Sequence, residues 1–146
     1  MRLLLGLVAA ILATAALAGA ASADAVYHTE RLELRGLAGA QGGGAVVNIH
    51  TGGSQVYAHE IYTLRGAVPG TYGVFLNLFP TSLDCTGSTI ALPTATIETN
   101  ARGNGQADAV FTPEDAADLR GMTLSISWTV TGPATYVTNC TVVVLD

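Results

Sequence analysis

The feature that most constrains this chain is a run from Met122 to Thr131, in which apolar and hydroxyl-bearing side chains alternate without a break. Successive side chains of a β-strand point to opposite faces, so this alternation predicts a strand with one buried face. The final segment, from Tyr136 to Leu145, is rich in β-branched residues and predicts the last strand. It places Cys140 on the same face as Val142 and Val144.

Earlier segments of similar character, each bounded by glycine, proline or asparagine, predict further strands. They cover residues 26–37, 45–51, 54–65, 71–79, 92–100 and 106–111. One helical signal interrupts them, because Thr112 suits an N-cap, Pro113 the first helical position and Gly121 the stop, which predicts a short helix over 113–120. About eight strands at this spacing predict an all-β fold, specifically a two-sheet antiparallel β-sandwich of the Ig-like or Greek-key type.

The amino-terminal residues predict export. Arg2 precedes an apolar run from Leu3 to Ala18, and small residues follow up to Ala23. This is the pattern of a secretory signal peptide over residues 1–23, cleaved after Ala23. Residues 24–146 would then form a single β-sandwich domain, secreted and free of the membrane. The alternative is an uncleaved membrane anchor, since the run is nearly long enough to span a bilayer.

The charge balance disfavours two classes of partner. Eleven carboxylates stand against six basic residues, all of them arginine, and one of these, Arg2, is lost with the signal peptide. Nucleic acids and anionic membrane surfaces bind through clustered lysine and arginine, so neither is an expected partner. An extracellular protein or a cell-surface component fits the composition better.

The chain contains two cysteines, Cys85 and Cys140. An even number of cysteines in an exported protein predicts a disulfide bond between them. The alternative is a pair of metal-binding or redox thiols, which needs a C-x-x-C spacing or clustered histidines, and the sequence has neither.

Several local patterns of the mature region resemble those of a known group of proteins. They are the glycine-rich hairpin Thr99 to Gly105, the helical signal Pro113 to Gly121, the strand that contains Trp128, and the segment Asn139-Cys140-Thr141. Together with the leader they resemble uncharacterised small exported all-β proteins of high-GC bacteria. The resemblance implies an all-β fold, and it implies no activity and no site residues.

The three histidines were the first candidates for metal ligands. Gly52-Gly53 predicts a two-residue hairpin turn that pairs Thr51 with Ser54. In that register the outer face carries Asn48, His50, Tyr57 and His59, and the inner face carries Val47, Ile49, Val56 and Ala58. His50 and His59 would then lie roughly 13 Å apart, too far to share one ion. His28 has no predictable neighbour, so no metal or cofactor site is predicted.

Glu60 is the one unusual carboxylate, because the hairpin register places it on the inner face with Val56, Ala58 and Tyr62. A buried carboxylate has a raised pKa and can mark a functional site. The alternative is that Glu60 lies at a strand end or a bulge and reaches solvent. The sequence has no G-x-S-x-G nucleophile motif, and no catalytic residue is predicted.

The connection from Phe79 to Leu92 is long and contains a cysteine that ties it to the last strand. Its residues Phe79, Pro80, Leu83 and Asp84 form a tentative recognition surface, because loops on a rigid β scaffold often carry binding residues. The alternative is that Phe79 and Leu83 cap one end of the core.

These observations favour a non-catalytic binding or structural module, with a secreted inhibitor as a variant. A small-ligand carrier is an alternative that predicts an inward cavity near Tyr62, Tyr72 and Trp128. A small extracellular hydrolase is another, and it predicts a pocket that joins Glu60, a histidine and a hydroxyl group. An exposed apolar patch around Phe79 would favour the binding module.

Overall fold

The computed structural model of the protein describes residues 27–51, 57–115, 117–119 and 121–145. In chain order the strands are β1 (Tyr27–Gly36), β2 (Gly43–Thr51), β3 (Tyr57–Arg65), β4 (Thr71–Phe79), β5 (Ile90–Glu98), β6 (Gly105–Phe111), β7 (Met122–Thr131), β8 (Thr135–Val137) and β9 (Thr141–Leu145). The all-β prediction is confirmed, and the predicted strands 71–79 and 122–131 coincide with β4 and β7. The predicted signal peptide lies outside the described residues. Within the described residues, no helix is long and apolar enough to cross a membrane.

The strands form one antiparallel sheet instead of two. Their order is β5-β4-β7-β8-β1-β2-β3-β6, and β9 also pairs with β7. The outermost strands, β5 and β6, are joined by a tight turn in which the Gly103 N–H donates to Asn100 O at 2.8 Å. They also touch, because a Cβ on Gly105 would lie only 2.5 Å from Glu98 O. The predicted two-sheet sandwich is therefore corrected to a single sheet that curls into a nearly closed barrel.

Large aromatic side chains fill the middle of this barrel. Trp128, Tyr62, Tyr72 and Tyr136 are all fully buried, and the rings of Tyr72 and Tyr136 lie 5.9 Å apart. Along β4, buried residues alternate with half-buried ones from Tyr72 to Leu78. One sequence hypothesis places a cavity near Tyr62, Tyr72 and Trp128, but the structure packs these three side chains into the core.

The predicted helix over 113–120 is wrong. Among the described residues of this segment, only Ala117–Leu119 is helical, as a single 3₁₀ turn. Asp115 Oδ2 instead accepts hydrogen bonds from the Thr112 N–H at 2.9 Å and the Thr112 hydroxyl at 2.8 Å, which closes a local turn. Two helical turns are too few to offset the cost of nucleation without strong packing, so the segment remains a connection.

The register between β2 and β3 also differs from the prediction. Thr51 pairs with Tyr57 instead of Ser54, and the predicted Gly52-Gly53 turn itself lies outside the described residues. The change of three positions is odd, so it moves the side chains of β2 to the opposite face. Asn48 and His50 are consequently buried, while Val47 and Ile49 are on the outer face. His59 is on the outer face, as predicted, and its Nε2 lies 3.2 Å from Asp108 Oδ2.

The carboxyl-terminal strands divide β7 between them. β8 pairs with Thr129–Thr131 and β9 with Met122–Ile126. On its other side, β8 pairs with β1 only at Arg35 and Gly36, whereas β1 pairs with β2 from Tyr27 to Arg35. Among the described residues, the part of β1 before Arg35 therefore has a strand neighbour on one side only.

The disulfide prediction is confirmed. Cys85 and Cys140 are bonded, with their Cα atoms 5.7 Å apart. Cys140 lies between β8 and β9, so the bond ties the connection between β4 and β5 to the junction of the last two strands. The Cys85 N–H also donates to Ser125 Oγ of β7 at 3.0 Å, which anchors this connection a second time.

Candidate functional site

A cavity of about 90 Å³ lies inside the barrel at the end where β2 stops and β3 begins. Most of the side chains that line it are apolar: Ala58, Leu76, Leu78, Leu92, Phe111, Leu119, Leu124, Ile126 and Val143. Four are polar or charged: Asn48, His50, Glu60 and Asp115. The cavity therefore has apolar walls with hydrogen-bonding groups on one side.

The period-two geometry of strands explains this composition. Asn48 and His50 are two residues apart on β2, and Ala58 and Glu60 are two apart on β3, so each pair points to the same side. The register pairs Asn48 with Glu60 and His50 with Ala58, which brings both pairs together on the inner face. The 3₁₀ turn contributes Leu119, whose half-buried side chain covers this end of the barrel.

Glu30 of β1 holds the two polar residues of β2. It pairs directly with Asn48 in the sheet, and the Asn48 side-chain amide donates to Glu30 Oε2 at 3.1 Å. His50 Nε2 lies 2.9 Å from Glu30 Oε1. A carboxylate accepts and does not donate, so this contact places a proton on Nε2 of the imidazole. Both oxygens of Glu30 are thus used to orient the polar side of the cavity.

The remaining polar atoms of these two side chains are buried without a partner. Among the described residues, Asn48 Oδ1 and His50 Nδ1 make no hydrogen bond, although both residues are only 4% exposed. A buried polar atom left without a hydrogen bond costs about 1–3 kcal/mol, and folded proteins contain few of them. Two such atoms belong to residues that line one cavity, which makes this cavity the candidate site.

His28 lies over the outer side of this cluster. It is the direct sheet partner of His50, and the two rings stack with their centroids 5.4 Å apart. The His28 side chain is exposed, whereas that of His50 is buried. His28 therefore covers one face of the His50 ring.

Glu60 forms a second polar group, next to the first. Its Oε2 atom accepts hydrogen bonds from the Tyr62 hydroxyl and from the Trp128 indole N–H, the latter at 2.7 Å. The Tyr62 hydroxyl lies 2.8 Å from Thr94 Oγ1, which links the group to β5. Glu60 is 2% exposed, so the structure places this carboxylate in the interior and not at a strand end.

Burial dominates the ionisation of this group. Desolvation raises the pKa of the Glu60 carboxyl above its ordinary value, and the hydrogen bonds from Tyr62 and Trp128 partly oppose the rise. Burial also raises the pKa of the Tyr62 phenol, and the neighbouring Glu60 carboxylate raises it further. Tyr62 therefore remains a protonated hydrogen-bond donor to Glu60 at any physiological pH.

The chemistry available in the cavity favours acceptors over donors. Carboxylates of Glu60 and Asp115 line it and Glu30 lies directly behind it, whereas none of the described lining residues is an arginine. No serine, threonine or cysteine is among them either. Throughout the described residues, no group of three or more histidine, cysteine, aspartate or glutamate side chains is arranged to hold a metal ion.

The four residues of the tentative recognition surface differ in how far they are exposed to solvent. Phe79 is 9% exposed and belongs to the core, whereas Leu83 is 60% exposed. Pro80 is half-buried, and Asp84 is exposed. The Thr86 and Ser82 side chains donate hydrogen bonds to Asp84, which lowers the pKa of its carboxyl. A recognition role for Leu83 and Asp84 stays a prediction.

Sequence reasoning singled out Glu60 and passed over Glu30, and it placed Asn48 and His50 on the outer face, where the observed register does not put them. A signal for Glu30 was present, because it shares a face with Leu32 and Leu34 in a period-two pattern. For β2 the signal was misleading, since Val47 and Ile49 are more apolar than Asn48 and His50. Only the hairpin register decides which of these two pairs faces inward. The glycine pair predicts that Thr51 pairs with Ser54, but Thr51 pairs with Tyr57.

Comparison of the chain with protein-family models, with curated proteins and with solved structures finds no match. The function is therefore inferred from the barrel and its cavity.

Proposed function

We propose that the protein binds a small, mainly apolar molecule in the cavity at the end of its barrel, and that it acts as a carrier without catalysis. The observation that carries this proposal is the pairing of apolar walls with two buried atoms, Asn48 Oδ1 and His50 Nδ1, that have no partner among the described residues. Sites for small molecules are typically apolar pockets with a few well-placed polar groups.

The energetics support a ligand over a simple packing defect. A site with no function would gain stability from apolar residues in place of Asn48 and His50, because an unpaired buried polar atom costs about 1–3 kcal/mol. A ligand that donates hydrogen bonds to these atoms removes that cost when it binds. Each carboxylate oxygen of Glu30 accepts a hydrogen bond, one from Asn48 and one from His50. These bonds hold the two side chains in place, as expected of a preorganised site.

The cavity volume bounds the size and affinity of the ligand. An engineered apolar cavity of about 150 Å³ accommodates benzene, which has six non-hydrogen atoms. By proportion, about 90 Å³ accommodates about four such atoms. With a limit of about −1.5 kcal/mol per atom, four atoms give a binding free energy no better than about −6 kcal/mol. The Kd for a ligand of this size is then no tighter than tens of micromolar.

The described lining residues favour a carrier over the small hydrolase considered from the sequence. The cavity joins Glu60 to a histidine, as that hypothesis requires, but no hydroxyl or thiol side chain lines it in the described part of the chain. Tyr62 and Thr94 have hydroxyls near Glu60, and Tyr62 is engaged with the carboxylate itself.

The setting we propose is extracellular, after cleavage of a signal peptide at Ala23. The Cys85–Cys140 disulfide supports it, because such bonds persist in oxidising compartments. A carrier in that setting needs no energy source and no cofactor, only a stable scaffold around its binding cavity.

A cavity-filling variant tests the proposal. Ala58→Leu adds three carbon atoms to a residue that lines the cavity, while Ala91→Leu adds the same atoms at an exposed position of β5 and is the control. In an NMR titration of the oxidised protein with 1-propanol, we expect saturable shifts of the Leu78, Leu124 and Val143 methyl signals. These shifts should persist in Ala91→Leu and disappear in Ala58→Leu.

Linear, non-saturating shifts in the unmodified protein would contradict the proposal, because they indicate a solvent effect without a site. Equal binding by the Ala58→Leu protein would contradict it as well, since the filled cavity then cannot be where the probe binds.

A further inference from the structure

We propose that the polar side of the cavity selects ligands with a protonated primary amine, so that the bound molecule is a compact alkylammonium ion. This inference rests on the proposed ligand-binding function and adds the chemical class of the ligand. It is carried by the positions of Asn48 Oδ1 and His50 Nδ1 and by the carboxylates around them.

Both unpartnered atoms are hydrogen-bond acceptors. The amide oxygen of Asn48 can only accept hydrogen bonds. A neutral imidazole with its proton on Nε2, where His50 meets Glu30 Oε1 at 2.9 Å, presents Nδ1 as an acceptor too. The cavity therefore offers two acceptors held by one carboxylate, and the complementary head group is a donor of at least two hydrogen bonds.

The candidate head groups differ in the number of hydrogen bonds that they can donate. A hydroxyl has one O–H and can satisfy one of the two acceptors, whereas an ammonium group has three N–H donors. A carboxylate has none. Of these three head groups, the ammonium group alone can donate to Asn48 Oδ1 and His50 Nδ1 at the same time.

The charged groups around the cavity favour a cationic ligand over an anionic one. Glu30 contacts both Asn48 and His50 directly, and Glu60 and Asp115 line the same cavity. A cation is attracted to these carboxylates, and no arginine among the described lining residues opposes it. An anionic head group would be buried beside like charges without a donor to stabilise it, which is strongly unfavourable.

Three probes of nearly equal size test the inference: propylammonium, 1-propanol and propionate. The titrations use the oxidised protein at pH 8, at which alkylamines are mainly protonated. The readouts are the Leu124 and Val143 methyl signals and the indole N–H signal of Trp128, which is the only tryptophan and bonds to Glu60. We expect propylammonium to bind at least tenfold more tightly than 1-propanol, and propionate to bind most weakly.

Two variants locate the selectivity. Asn48→Leu and His50→Phe each remove one acceptor while they retain a side chain of similar size. In both variants we expect the ratio of the Kd values for 1-propanol and propylammonium to fall towards one, while 1-propanol still binds. His59→Phe is the matched control, because His59 lies on the same hairpin but faces outward to Asp108, and it should leave the ratio unchanged.

The outcomes separate the two proposals. Equal affinity for propylammonium and 1-propanol would overturn the amine assignment and leave the cavity as an unselective apolar site. Tighter binding of propionate would overturn it too, because it shows that His50 acts as a charged donor. If no probe produces saturable shifts, the ligand-binding function itself fails and the amine inference fails with it.

Discussion

At the scale of single residues, the barrel interior contains two carboxylates with different tasks. Glu60 accepts hydrogen bonds from Tyr62 of its own strand and from Trp128, and so joins β3 to β7. Glu30 orients Asn48 and His50 towards a cavity. Alternation along a strand is enough to predict that Glu60 faces inward, since Ala58 and Tyr62 share its face. It is not enough to predict what Glu60 touches, because Trp128 is far away in sequence.

The first prediction concerns the pH dependence of stability due to Glu60. Its folded-state pKa is raised above the ordinary value of 4.5, so the native state binds more protons than the unfolded state from about that pH up to the raised value. The stabilising contribution of Glu60 is therefore present at low pH and is lost as the pH rises through the folded pKa.

Glu60→Gln cannot ionise and should remove this dependence. We expect the unfolding free energy of the unmodified protein, relative to that of the variant, to fall as pH rises above 4.5, by at most about 1.4 kcal/mol per pH unit. Urea unfolding of both proteins between pH 4 and 8 measures this difference. Curves that stay parallel across the whole range would show that Glu60 titrates normally.

The second prediction concerns Glu30. Glu30→Ala leaves the Asn48 side-chain amide and His50 Nε2 without their acceptor, which should cost about 1–3 kcal/mol of stability. Glu33→Ala is the control, because Glu33 is an exposed residue of the same strand whose carboxylate forms an exposed ion pair with Arg35. Its effect should stay within about 0.5 kcal/mol. Equal losses in both variants, measured by denaturant unfolding, would contradict a special role for Glu30.

At the scale of elements, the alternation of side chains in the sequence predicts where strands lie. The residues of a turn are a poorer guide to how the adjacent strands pair. The strands β4 and β7 coincide with their predicted bounds. Buried and half-buried positions alternate in β4, whereas β7 has three consecutive buried residues, Leu124 to Ile126. The β2–β3 hairpin illustrates the opposite case. Its glycine pair favours a two-residue turn, yet Thr51 pairs with Tyr57, and this one difference in loop length exchanges the two faces of β2.

The third prediction concerns β9. Removal of residues 141–146 deletes the strand that pairs with Met122–Ile126 of β7 and takes Val143 out of the core. It leaves Cys140 at the chain end and exposes Leu124 and Ile126, so we expect the truncated chain not to fold. Circular dichroism and urea unfolding test this. A soluble truncated protein with a cooperative transition would show that β9 is dispensable.

At the scale of the whole molecule, closure of the sheet depends on contacts that no local pattern predicts. The outer strands β5 and β6 meet because Gly105 has no side chain between it and Glu98. The sequence shows the glycine as part of a turn and says nothing of this approach. A fold predicted from strand spacing alone is accordingly right in class and wrong in the number of sheets.

The fourth prediction concerns the disulfide, which links residues 55 positions apart. In the chain-entropy model, closing a loop of that length stabilises the fold by about 4 kcal/mol. Complete reduction should therefore lower the Tm by on the order of 10 °C. The double variant Cys85→Ser, Cys140→Ser should melt at the same temperature as the reduced protein. An unchanged Tm after verified reduction would contradict a stabilising role for the bond.

The one-sided pairing of β1 determines how its amide hydrogens exchange with solvent deuterium. Before Arg35, the described part of β1 pairs only with β2, so alternate amides point away from a strand partner. Protection along β1 should therefore rise and fall with a period of two, whereas β2, paired with β1 and β3 from Gly43 to Thr51, should be protected throughout. Because β1 contains Glu30, local opening of β1 should release the carboxylate that holds Asn48 and His50 at a lower free energy than opening of β2 itself.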